Sequence, residues 1–119
     1  MATKSKNKAQ PSMRFFHSIE LKQKTDTVIS ELESNPDDPE HGDAMADLVA
    51  ELINAGMDYY FVKALKEAKI GFISEKSAML GIASAVKLIS SVSRKFIVRM
   101  DSNQLSIVAS HIKSLASPK

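Results

Sequence analysis

Residues 79–100 read MLGIASAVKLISSVSRKFIVRM, a mostly apolar stretch carrying four basic side chains. Three readings compete: a membrane span, a buried bundle helix, or a basic helix lying on nucleic acid. Charge removes the first. Lys87 would sit near mid-span, and Arg94, Lys95 and Arg99 would follow it. Each central cation opposes insertion by roughly 2.5–3.5 kcal/mol. The longest run here without Lys or Arg is the ten residues from Ser77 to Val86, where a span needs about 20 apolar residues.

The bundle reading follows from spacing. Met79, Ile82, Val86, Ile89, Phe96 and Met100 recur at intervals of three and four, with Ser93 interrupting the series. That is the period of a helix face directed at a core. Six such side chains, at about 1.5–3 kcal/mol each when fully buried, carry a gross hydrophobic term on the order of 10–15 kcal/mol. Gly81, Ser84 and Ala85 lack bulk, so a neighbouring helix can come close there.

Working outward, Ser74 is the expected N-cap of this helix, and Gly71 the left-handed stop of the one before it. That preceding helix starts at Pro39 capped by Asp38, or after Gly42 capped by Asp43, and runs to about Lys69. Met45, Leu48, Leu52, Ala64 and Leu65, with Tyr59 or Tyr60, form its apolar face. Further upstream, SNPDDPEHGD (residues 34–43) is a loop, because its two prolines break any continuing ladder. A first helix is expected over 13–33, with Leu21, Val28 and Leu32 on its stripe and Phe15, Phe16, Ile19 and Ile29 beside them. Downstream, Asp101 and Gln104 stand at capping-box spacing. They open a last helix with Leu105, Val108, Ile112 and Leu115 facing inward, closed by Pro118. Nothing alternates with period two for long.

The expected architecture is therefore all-α: an antiparallel four-helix bundle with a long central helical hairpin. Residues 12–117 form the single domain, and 1–11 a disordered basic tail holding Lys4, Lys6 and Lys8. The N-terminus lacks an apolar signal core, so a cytoplasmic protein is expected. The chain has no cysteine, which removes disulfides, thiolate metal sites and a cysteine nucleophile.

The net charge of +2 conceals a separation. Residues 1–24 carry +5, residues 25–58 carry −10 without a single Lys or Arg, and residues 59–119 carry +7. In an antiparallel hairpin the acidic start of the second helix would meet the basic end of the third, each charge also matching its helix dipole. That accounts for Arg94, Lys95 and Arg99 structurally. The same three residues, with Lys87 and the Lys4–Lys8 tail, are the candidate nucleic-acid surface, whose phosphate contacts would be strongly salt-dependent.

Candidate reaction chemistry is thin. Asp37, Asp38, Glu40, His41 and Asp43 crowd one loop, but their order does not fit an EF-hand. Asp43, Asp47 and Glu51 share a helix face, a ladder that a Mg²⁺-dependent helical hydrolase could use if a second acidic helix faced it. Glu-x-x-His, the signature of carboxylate-bridged di-metal bundles, is missing from the sequence. His17 and His111 stand in contexts unlike His-x-x-Lys-Gly phosphoacceptors, and no Gly-x-Ser-x-Gly elbow or Gly-rich phosphate cradle occurs. No catalytic, cofactor or metal residue is assigned, and no motif is specific enough to name a family.

Tyr59, Tyr60 and Phe61 cannot all face one core line of an α-helix at about 100° per residue. They form the candidate partner surface, together with Val62, Ile97 and Val98. The resulting expectation is a protein–protein interaction or regulatory module that self-associates as a homodimer. Nucleic-acid binding and Mg²⁺-dependent hydrolysis are the alternatives.

Overall fold

The computed structural model describes residues 11–116. Their regular structure is all helical, with no strand among them: α1 (Ile19–Ser34), α2 (His41–Met57), a π-helical turn (Asp58–Val62), α3 (Lys63–Ala68), α4 (Phe72–Ile97) and α5 (Ser102–Leu115). The α2–π–α3 series is one continuous rod. The tail expected over 1–11 and the closing Pro118 fall outside the described residues, except for Pro11. No described helix is long and apolar enough to cross a membrane.

α1 begins six residues later than the apolar spacing suggests. Ser18 ends the preceding irregular segment in extended geometry, and its Oγ accepts from the Leu21 N–H at 3.0 Å. A capped end is a fixed end. Phe15 and Phe16 therefore leave the helix and lie across the π turn instead. α1 stops at Asn35, before Pro36, as the pre-proline restriction requires.

α2 starts at His41, and neither Asp38 nor Asp43 caps it. Asp38 is occupied within the loop, where its carboxylate accepts from the Glu40 N–H at 2.9 Å. This two-residue side-chain turn is a common alternative use of Asp. His41 is buried and donates from Nε2 to the Asn35 carbonyl at 2.5 Å, tying the loop to the helix it precedes. At the far end of the rod the left-handed residue is Lys69 (φ 54°), not Gly71. Gly71 (φ 103°) takes the N-cap position of α4, and its carbonyl accepts from Glu75 N–H at 2.9 Å. The helix is thereby under way before Ser74, which does not cap it. The Asp101–Gln104 capping box is present in both directions, at 2.8 and 3.0 Å.

α2 is the central element: α1, α4 and α5 pack on it, and α1 also packs on α5. The core joins Leu21, Val28, Ile29 and Leu32 of α1 with Met45, Ala46 and Leu48 of α2, Ile97 of α4, and Leu105 and Ala109 of α5. Leu48 is fully enclosed. Leu115, expected inside, is exposed.

The largest departure is the rotation of α4. Of the expected stripe only Val86 is buried, Ile82 and Met100 are half-buried, and Met79, Ile89 and Phe96 are exposed. The covered line instead runs through Ile82, Val86, Ser90, Ser93 and Ile97. Two contacts set this phase. Arg94 reaches Asp47 and, at 3.5 Å, Asp43. The missing side chain at Gly42 lets the Val98 backbone approach, so that a Cβ added there would lie 3.2 Å from the Val98 Cα. Turning Arg94 toward α2 brings Ser90, Ser93 and Ile97 with it and carries Ile89 and Phe96 outward. The Ser90 hydroxyl is buried without a hydrogen-bond partner, a small cost of this choice.

Candidate functional site

Three regions were singled out by the sequence, and the structure treats each differently. At the π turn, the Lys63 N–H bonds five residues back to the Asp58 carbonyl. On this turn Tyr59 and Tyr60 are half-buried and Phe61 is exposed. Tyr59 and Tyr60 meet edge to face, with centroids 5.6 Å apart. Phe16 packs on Tyr59 at 5.9 Å and Phe15 on Tyr60 at 6.1 Å, both edge-on, the arrangement that ring quadrupoles favour. The Lys63 ammonium stands 5.1 Å over the Tyr59 ring. Two of the three candidate partner residues are thus partly covered by the chain's own N-terminal segment, and Phe61 points outward. Val62 and Ile97 are buried and offer nothing to a partner; Val98 stays exposed. An open cleft of about 450 Å³ lies beside this cluster, lined by Phe16, His17, Asn54, Asp58, Tyr59 and Lys63.

The basic and acidic candidates largely engage each other. Arg94 is committed to Asp47 and Asp43, and Lys24 of α1 pairs with Glu51. Every rung of the acidic ladder therefore faces a cation from another helix. Among the described residues no group of three His, Asp or Glu is placed to hold a metal ion. Lys87, Lys95 and Arg99 are exposed; Lys87 lies in mid-helix, Lys95 near the end of α4 and Arg99 beyond it, with the acid-paired Arg94 between them. Among the histidines, His17 donates from Nδ1 to the Ser18 carbonyl at 3.0 Å, His41 supports the loop, and His111 lies exposed on α5.

The feature that sequence reasoning missed is the outward side of α4. Leu88 is 67% exposed, Phe96 63%, Val92 46% and Ile89 45%. With about 3.6 residues per turn, these four fall within one band along the last three turns of the helix. Continued toward the N-terminus, the band runs over Ala85, Gly81, Ala78 and Ser74, all small; Ala78 is half-buried and the other three are exposed. Nothing lies within 4 Å of a Cβ built at Gly81. The signal was in the sequence: α4 carries two apolar stripes, and α2 has room for one. Choosing between them required the position of Arg94.

Comparison with protein-family models, with curated proteins and with solved structures finds no match to this chain.

Proposed function

We propose that the chain is a small helical interaction protein, an antiparallel helical bundle that works by receiving an amphipathic helix along the outward band of α4. One observation carries this: Leu88, Ile89, Val92 and Phe96 are grouped in solvent along a long helix, beside the packed line of Ile82, Val86 and Ile97. Contiguous apolar surface of this kind marks contact sites in proteins that otherwise bury such residues. Helix-in-groove recognition reads side chains at three- and four-residue spacing, which this band supplies. The acidic ladder is neutralised by Arg94 and Lys24, which weighs against a metal-dependent hydrolase. Nucleic-acid binding is weakened by the engagement of Arg94 with Asp43 and Asp47.

A photo-crosslinking residue placed at Leu88, in cells making the full chain, tests the reading. A discrete protein adduct is expected from Leu88, with none from the exposed Ser30 on α1, and Val92→Asp should abolish it. Equal labelling from both positions, or no adduct from Leu88, refutes it.

A further inference from the structure

We infer that the helix received by α4 is α4 of a second copy of this chain, lying antiparallel with Ala85 on the two-fold axis. The inference rests on the interaction reading above and supplies its partner. The observation behind it is an asymmetry within the band. Its N-terminal half is small (Ser74, Ala78, Gly81, Ala85) and its C-terminal half is large (Leu88, Ile89, Val92, Phe96). A surface that pairs with itself around a two-fold axis must be self-complementary. Antiparallel pairing about Ala85 places Ile89 against Gly81, Val92 against Ala78 and Phe96 against Ser74 of the other copy. Ile89, Val92 and Phe96 each meet a small side chain, as interdigitated helix packing requires, while Leu88, at the edge of the band, falls level with the half-buried Ile82. Parallel pairing would set bulk against bulk at one end and leave a gap at the other.

Two further features agree. Antiparallel pairing holds the two basic C-terminal ends of α4, each with Lys95 and Arg99, at opposite ends of the contact. Like charges are kept apart, and the helix dipoles oppose. The area is adequate but small. Four large side chains at about 100 Å² each, plus their small neighbours, give about 500 Å² per copy and about 1,000 Å² in the pair. That is the lower limit for a specific interface, so association is expected at about micromolar concentration. Gly81 gains a purpose as well. A mid-helix glycine is unfavourable relative to alanine, and nothing within this copy needs the space it leaves open.

The chain has no cysteine of its own, so single cysteines report the geometry cleanly. Ala85→Cys should form an intermolecular disulfide under mild oxidation much faster than Ser91→Cys, which lies on another face of the same helix. Ser74→Cys and Phe96→Cys should cross-link when mixed and not when alone. Sedimentation should show mass rising from one copy to two across about 1–100 μM, and Gly81→Leu should raise the dissociation constant at least about tenfold. Unchanged circular dichroism would show that this variant still folds. A wild-type protein monomeric across that range overturns the inference, as does a dimer whose Ala85→Cys variant bridges no faster than Ser91→Cys. Failure here and failure of the broader reading are distinguishable. A monomer that still yields a discrete Leu88 adduct to another protein rejects self-pairing alone; a monomer with no adduct rejects both.

Discussion

Two helical glycines make opposite demands on their surroundings. A Cβ at Gly42 would press on the Val98 backbone at 3.2 Å, and backbone cannot rotate away. Gly81 faces open space. Gly42→Val is therefore expected to lower stability by about 1–3 kcal/mol through overpacking. Gly81→Ala should raise it by about 0.5–1 kcal/mol through helix propensity alone. Urea titration at a protein concentration below that of self-association measures both, and equal signs would refute this account of the packing. Leu48 and Arg94 make a second pair. Both hold α2 to its neighbours, one by full burial and the other by ion pairs at a side chain 42% exposed. Leu48→Ala should cost about 2–5 kcal/mol, whereas Arg94→Ala should cost less than about 1 kcal/mol, since exposed ion pairs are screened. Arg94 matters more for the rotation of α4 than for its attachment. Its variant is therefore the one expected to alter how Ile89 and Phe96 are presented.

At the scale of the element, legibility followed locality. The Asp101–Gln104 box could be read because both partners lie within four residues and need no tertiary information. The stop at Asn35 could be read because proline acts on its immediate neighbour. The start of α1 was misread because Phe15 and Phe16 fit a helical period, and only their stacking on Tyr60 and Tyr59 shows why they leave it. Asp38 was misread as a cap because its side chain has two competing local uses. The caps that do form can be tested alike. Ser18→Ala and Asp101→Ala should each cost about 0.5–2 kcal/mol, measured by the shift of the thermal midpoint. Hydrogen exchange should locate the loss in the first turns of α1 and α5 respectively. The excess of rings at Tyr59–Phe61 was visible in the sequence, but the π turn that carries them and the segment that covers two of them were not.

At the scale of the whole molecule, the helical class was legible from period and composition, and the facing of charge blocks from their order along the chain. The rotation of each helix about its own axis was not. Rotation is decided by contacts between distant residues, here Arg94 with Asp47 and Gly42 with Val98, and α4 offered two defensible faces. The π turn has a bearing on this that reaches past its rings. A coil is a screw, and one surplus peptide unit in the thread turns everything beyond it by about 100°. The elbow at Lys69–Gly71 inherits that bearing and aims α4 back along the rod. Deleting the outward-pointing Phe61 would tidy the thread and point the return arm elsewhere. Far-ultraviolet dichroism should then stay near its original value while the sharp thermal transition broadens or vanishes.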